Sequence, residues 1–320
     1  MPTALVTKNY NKTKYFIKAA LDLGDTITYG SNTDYNYILP HPYVSNDAIE
    51  IISLYNNSES ILTCLDKNKF YKFCQDNNFL YPKHTDKFPC VIKPTIGESS
   101  EGVIIAYSID DIPDNSYITQ QYITGKLIGL NIAVYNNQII IYNKWIVDSN
   151  IPGDTKLVNV RQTTSCSPLG ENIISEVERM IKLLNFNNEV LQLELFVTDD
   201  EQDVLSFVEL NPRTGSKGVE SLYSVCGYCP VMETVKLYSG RMCEFKSYKS
   251  QKGSLSICLN TSNLNDHNIV FKDTVTDNFT GNIESADDLY KKYGFIHVKY
   301  DSYEKAISNT NDLLENVDRV

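Results

Sequence analysis

Short apolar runs at Ala4 to Thr7 and at Thr26 to Tyr29 have the length of buried strands. Between them Tyr15, Phe16, Ala19, Ala20 and Leu23 recur at helical spacing, which predicts a helix of roughly four turns stopped at Gly24. Strand, helix and strand in that order imply a parallel pair. Residues 30–46 are interrupted by prolines and read as irregular, with a short apolar run over Ile49 to Leu54 behind them. Asp66 stands where a helix begins, Phe70, Phe73 and Cys74 form its inward face, and Leu80-Tyr81-Pro82 closes it.

From Pro89 onward the pattern changes to short strands separated by turns. Cys90 to Lys93 and Val103 to Ala106 flank a polar, Gly-containing loop. Tyr117 to Ile123, Ile128 to Tyr135 and Gln138 to Ile146 follow, the last two joined at Asn136-Asn137. A helix over Glu171 to Leu184 leads into two further strands. Another helix over Ser221 to Tyr238, broken near Cys226 to Pro230, precedes a tail of strand and helix. That tail includes a strand at Gly294 to Val298 and a helix over Tyr303 to Val317. The chain has no internal repeat and no low-complexity segment.

The two strands after Leu184 carry polar faces that invite chemistry. Side chains alternate along a strand, so Gln192 and Glu194 share a face in Leu191 to Val197. Glu209, Asn211 and Arg213 do the same in Phe207 to Arg213, spaced about 6.6 Å apart, while Val208 and Leu210 turn into a core. Thr198 to Asp203 is a short acidic turn of the kind that joins antiparallel neighbours. Pairing would bring Glu194 near Glu209, two carboxylates that repel unless a cation lies between them. Carboxylate and amide oxygens suit Mg²⁺, and a neighbouring guanidinium stabilises charge on a transferred phosphoryl group. Pro212 ends the hydrogen bonding, as befits a strand running out into a site. The competing reading is an edge strand whose polar face is merely solvated; the preceding acidic strand counts against it.

Composition narrows the classes. At 320 residues the chain has room for two or three compact units. With 42% apolar and 11% aromatic residues it is globular. A net charge of −11 with no basic run speaks against nucleic acid as a partner. No stretch approaches the ~18 apolar residues of a membrane span, and the first ten residues lack a signal-peptide core, so a cytoplasmic setting is expected. The 8 cysteines at irregular spacing read as reduced thiols. Cys226-Gly-Tyr-Cys229 is a lone C-x-x-C without a second pair or a His cluster. The 4 histidines (His41, His84, His267, His297) lie away from the acidic strands.

Lys93 ends a strand and faces the loop Pro94-Thr-Ile-Gly97-Glu-Ser99-Ser100-Glu-Gly102. Backbone N–H groups and hydroxyls of such a loop can close over phosphates, with Lys93 as the point charge; as a bare Gly-Ser loop it also reads as a hairpin turn. It lacks the Gly-Lys-Ser/Thr ending of a Walker A loop. Lys67 sits about one helix and a linker ahead. The strand Ile118-Thr-Gln120-Gln121-Tyr122-Ile123 leads to a turn at Gly125, and its amides and backbone groups could read the polar edge of adenine.

This order of parts resembles the ATP-grasp superfamily, in particular its carboxylate–amine ligases and the carbamoyl-phosphate-synthetase-like branch. The matching features are Asp66-Lys67, Tyr81-Pro82, Phe88-Pro-Cys-Val-Ile-Lys93-Pro, loop 97–102, Gln120-Gln121-Tyr122-Ile123-x-Gly125, Glu194 and Glu209-x-Asn211-x-Arg213. The resemblance covers about residues 60–240 and implies an α/β (α+β) ATP-grasp fold. Its parts would be a reduced N-terminal βαβ unit over 1–60, a linker helix and small ATP-binding lobe over 61–125, and a large lobe with a C-terminal α/β extension over 126–320.

Carried over, Lys67 and Lys93 would hold the phosphates of ATP, with Gly97, Ser99, Ser100 and Gly102 in a mobile lid. Gln120 would face the adenine amino group, and the Gln121 carbonyl and Ile123 amide would complete that contact. Glu194 and Glu209 would hold one Mg²⁺, and Glu209 with Asn211 a second, Mn²⁺ being a plausible substitute. Arg213 would steady the acyl phosphate, with Asn211 and Lys93 beside it in the catalytic set, and Arg161 would be a further phosphate-facing cation or a plain surface arginine. Two departures stand out: Leu127 and Asn131 occupy positions where the family often has acids, and the N-terminal unit is short.

The implied activity is ATP-dependent joining of a small carboxylate to an amine, amino acids included, through an acyl phosphate. Other readings of the same site are an ATP-binding regulator without turnover and a ligase for a thiol or another acceptor. Loops around 148–168 and 214–220 would set specificity. No membrane partner is implied; a homodimer fits the family habit.

Overall fold

The computed structural model describes residues 1–6, 13–29, 34–39, 57–95, 103–112, 117–149, 160–165, 169–213, 229–247, 253–260 and 293–300. Among them, three sheets carry the fold. The first is parallel, with β1 (Thr3–Val6) between β2 (Thr26–Tyr29) and β3 (Tyr37–Leu39), and α1 (Thr13–Asp22) connects β1 to β2. The expected strand–helix–strand unit is present. β3 falls within the stretch read as irregular: three consecutive buried residues have neither alternation nor length to betray a strand.

The second sheet is antiparallel, β5-β4-β6, built from β4 (Cys90–Pro94), β5 (Ile104–Ala106) and β6 (Tyr117–Gln121). Two helices precede it. α2 (Ser58–Leu65) was not expected, whereas α3 (Lys67–Asp76) starts where the sequence indicated. Asp66 caps α3 by accepting from Asn68 N at 2.9 Å and Lys69 N at 3.3 Å.

The third sheet has seven strands in the order β11-β10-β7-β8-β9-β12-β13. Its members are β7 (Lys126–Tyr135), β8 (Gln138–Ser149), β9 (Val160–Ser165), β10 (Glu189–Val197), β11 (Val204–Asn211), β12 (Gly253–Asn260) and β13 (Tyr293–Tyr300). Asn136 and Asn137, at φ 50° and 61°, make the tight β7–β8 turn that the sequence marked. Within the region 148–168, where specificity loops were expected, the described residues include strand. β8 runs to Ser149, and the polar run Val160 to Ser165 is recruited as β9 by ladder hydrogen bonds rather than by apolar patterning. The expected helices at 221–228 and 303–317, and the lid at 97–102, lie outside the described residues.

One face of the large sheet is a core. Ile128, Leu130, Ile132, Leu193 and Leu195 pack against α4 (Glu171–Leu183), whose Ile173, Val177, Met180 and Ile181 recur at helical spacing, and against α2 and α3. The other face is partly covered by α5 (Pro230–Tyr238), which also packs on the parallel sheet through Val231 and Val235. Next to α5, Arg241 Nη1 donates to Asp25 Oδ2 at 2.8 Å, Arg241 Nη2 bonds Asp25 Oδ1, and Tyr37 OH donates to Asp25 Oδ2 at 2.7 Å. Burial alone would raise the Asp25 carboxyl, but these bonds and the guanidinium charge outweigh it and hold it below its ordinary value. Glu189 ties the same region together. It accepts from Tyr238 OH at 2.8 Å and Asn57 Nδ2 at 3.3 Å, and its burial pushes its carboxyl up to about 8.

Gly129 of β7 lies under Trp145 of β8; a Cβ there would come within 1.9 Å of the indole. Gly129→Ala should therefore displace the ring, lower stability by about 1–3 kcal/mol and shift the emission of the one tryptophan, measured by denaturant unfolding and fluorescence. Asp25→Asn should cost about 2–4 kcal/mol near neutral pH. A depressed carboxyl contributes stability above its unfolded value near ~3.9 and loses it as pH falls through the lower folded value. The gap between Asp25→Asn and the parent should thus be widest above about pH 4 and close in stronger acid, read by urea unfolding across pH.

Candidate active site

β10 and β11 run antiparallel with Glu194 directly opposite Glu209 and Gln192 opposite Asn211. On its other edge β10 meets β7, with Gly129 opposite Glu194 and Asn131 opposite Gln192; β8 continues the rows with Trp145 and Asn143. Directly opposed residues share a face of a sheet. One row therefore reads Trp145, Gly129, Glu194, Glu209, and a second, about 6.7 Å away, reads Asn143, Asn131, Gln192, Asn211. Both lie on the face away from the α4 core.

Amides orient the carboxylates. Gln192 Nε2 donates to Glu194 Oε1 at 3.0 Å, and Asn211 Nδ2 donates to Glu209 Oε1 at 2.8 Å. Gln192 Oε1 in turn accepts from Arg213 Nη1 at 3.0 Å, so the buried guanidinium is linked to Glu194 through one amide. Glu194 and Glu209 are half-buried, with Cβ atoms about 5 Å apart as cross-strand partners. Two converging carboxylates with an amide oxygen fit Mg²⁺, which takes one or two carboxylates and completes its shell with phosphate and water oxygens. Glu194, Glu209 and Asn211 would hold it. Among the described residues no group of three His, Cys, Asp or Glu gathers, so an ion here would rely on a bound molecule for further ligands.

Lys93 supplies the opposing charge. It is 6% exposed, its Nζ donates to Tyr71 OH at 2.7 Å, and it lies 5.3 Å from the centre of that ring. Burial pulls its amine down to about 8; Glu209 raises it, Lys67 lowers it and Glu194 raises it. Both lysines and both glutamates thus share one electrostatic neighbourhood. Lys67, the first residue of α3, is buried, and its N–H donates to Thr95 O at 3.2 Å, tying the helix to the end of β4. Tyr71 is the hub. Its hydroxyl donates to Val208 O at 2.8 Å, one residue before Glu209, and lies 3.5 Å from Gln120 Oε1.

The expected adenine-facing residues lie together on β6 and just beyond it. The Gln120 side chain is buried, with Nε2 donating to Pro82 O at 3.0 Å. Gln121 is exposed, its N–H donates to Lys83 O at 2.9 Å, and Ile123 follows the end of the strand. At Gly125 a Cβ would come within 2.7 Å of Leu205 Cδ1 and 2.9 Å of Val197 O, so this turn rests directly on the β10–β11 hairpin. Arg161 lies on β9 opposite Asp148, and β9 is three strands, roughly 14 Å, from β10. Gly97, Ser99, Ser100 and Gly102 lie outside the described residues. Sequence reasoning missed Tyr71 and Trp145. Lys67, Tyr71 and Cys74 at i, i+4 and i+7 form a stripe that could have exposed the former.

Residues 64–217 match the family model of an ATP-grasp domain. No curated protein matches the chain in sequence. Among solved structures, carboxyaminoimidazole ribonucleotide synthase from Aspergillus clavatus, complexed with ATP, superposes with a TM-score of 0.71 at 12% identity, covering 100% of this chain and 99% of its own. L-amino acid ligase from Bacillus licheniformis gives 0.66 at 14% identity, over 98% of this chain and 97% of its own. Phosphoribosylglycinamide synthetase from Anaerococcus prevotii gives 0.61 at 18% identity, over 98% of each. With opposed acidic strands, a buried lysine pair and the domain match in agreement, residues 64–217 are similar to an ATP-grasp domain, within a chain that has the ATP-grasp fold.

Proposed function

We propose that the protein is an ATP-dependent ligase that joins a small carboxylic acid to an amine through an acyl phosphate. The observation that carries this reading is the direct opposition of Glu194 and Glu209, with Asn211 and Arg213 continuing the same strand face and Lys93 buried within their field. The similar structures named above are a synthase, a synthetase and an L-amino acid ligase, and the first holds ATP.

In the first step a carboxylate oxygen forms a bond to the γ-phosphorus as the bond to the β-bridging oxygen breaks, and ADP leaves with that electron pair. In the second, the amine nitrogen bonds the acyl carbon, phosphate departs and a proton is lost. No protein nucleophile is required; positioning and charge neutralisation suffice. Arg213, aimed by Gln192, faces the charge that develops on the transferred group. Lys93, oriented by Tyr71, and Lys67 hold phosphate oxygens. Gln120, Gln121 and Ile123 line the adenine end. Mg²⁺ at Glu194, Glu209 and Asn211 would neutralise the triphosphate. A regulator without turnover would need the same site and has no observation of its own in its favour.

Glu209→Gln should lower ADP formation by about 10²-fold or more while the unfolding transition stays in place, checked by coupled ADP release with Mg²⁺-ATP and paired amino acids. Full activity in that variant would contradict the metal assignment. Lys93 in its charged form attracts the triphosphate, and its amine titrates at about 8. ATP affinity should therefore weaken as pH rises through that value, and Lys93→Met should bind weakly with a flat pH profile, read by calorimetry.

A further inference from the structure

We propose that Asn143, with Asn131 beside it, reads an uncharged hydrogen-bonding group on the acid substrate, so that the preferred acid bears a carboxamide or comparable neutral donor–acceptor group. This assignment rests on the ligase reading for the identity of the ligand as a substrate, but its geometry is independent of it.

The rows of the large sheet give the site a direction. The turn at Gly125 leads straight into β7, so Leu127, opposite Phe196, is the first residue of this face beyond the adenine end. Next comes the row of Gly129, Glu194 and Glu209, and about 6.7 Å further the amide row of Asn143, Asn131, Gln192 and Asn211. A nucleotide laid from the turn to the carboxylates ends its phosphates at the second row. The group that accepts phosphate then lies against the third, where Arg213 is held by Gln192. Beyond the amide row the same face is sealed by Ala133, Tyr142 and Val190 under Leu237, Cys243 and Phe245. The amides are therefore the polar back wall of the site.

A bulge sets the last member of that wall. Ile132 lies opposite Ile141 but Asn131 lies opposite Asn143, so Tyr142 is the extra residue, and both Tyr142 and Asn143 turn to the site face. Asn143 is 3% exposed, and neither its Nδ2 nor its Oδ1 has a hydrogen-bond partner among the described residues. A buried amide with both ends unmatched is a site waiting for a complementary group. The amide row is neutral, offering a donor and an acceptor side by side. A carboxamide or hydroxyl matches both. A second carboxylate would offer only acceptors to Asn143 and leave its Oδ1 unmatched, and an apolar group would leave both ends unmatched.

The test compares L-asparagine and L-glutamine with L-aspartate, L-glutamate and L-leucine as the acid, using the full-length protein, saturating Mg²⁺-ATP and a fixed amine panel. The carboxamide acids should give kcat/KM at least about tenfold above the other probes. Asn143→Leu should erase that preference through KM, leave ATP affinity unchanged and keep or raise Tm, since no described partner is lost; Asn143→Ala serves as the second variant. Equal use of all probes, or an unchanged preference in both variants, would overturn the proposal. If Mg²⁺-ATP binds but no acid drives ADP release, the ligase reading fails on its own. The wall is then judged by calorimetry of the same acids on the ADP-bound protein. Carboxamide-selective binding that Asn143→Leu removes supports it, and binding without that selectivity, or none, refutes it.

Discussion

The mutual repulsion of Glu194 and Glu209 is the constraint around which the site is built. Cross-strand register fixes the two carboxylates side by side, and the sheet cannot slip by one residue to relieve them without turning Leu193 and Leu210 out of the core. The acidic pair is thus held in place by apolar burial on the reverse face. Positive charge must be brought to it, and the fold does so with Lys93 and Lys67 from the smaller sheet and α3, and Arg213 at the end of β11. Tyr71 links these sources mechanically, since its hydroxyl joins the Lys93 amine to the backbone beside Glu209.

The same sheet separates the tasks of stability and chemistry by face. Helix α4 and the α2–α3 pair bury one side, which makes β7 and β10 rigid. The opposite side grades from the turn at Gly125, through the acidic row, to neutral amides backed by α5. Gly129 contributes by absence: without a side chain it leaves room for the Trp145 indole in the row that carries Glu194 and Glu209. Helix α5 couples this wall to the parallel sheet, where the Asp25–Arg241–Tyr37 network makes the contact specific.

Much of this was legible in residue order. Alternation placed Glu209, Asn211 and Arg213 on one face, and the acidic turn at Thr198 to Asp203 foretold the pairing that sets Glu194 against Glu209. The Asp66 cap and the Asn136-Asn137 turn were local signals that the structure keeps. What escaped was decided by distant partners. β3 and β9 are strands because a neighbour offers its backbone, not because their residues alternate. Tyr71 reads as one more core aromatic of α3 until β4 and β11 are packed against it. Asn131 was visible as an amide in an unusual place, but its alignment with Asn143 depends on a bulge at Tyr142 that nothing in the local sequence announces.

The most direct test is equilibrium binding of Mn²⁺ followed by electron paramagnetic resonance, with and without ATP, in the parent protein and in Glu194→Gln and Glu209→Gln. If the paired carboxylates and a triphosphate together bind the ion, Mn²⁺ should bind weakly alone and at least about tenfold more tightly with ATP, and either substitution should remove most of that gain. Equal ion binding in the parent and both variants in the presence of ATP would contradict the account.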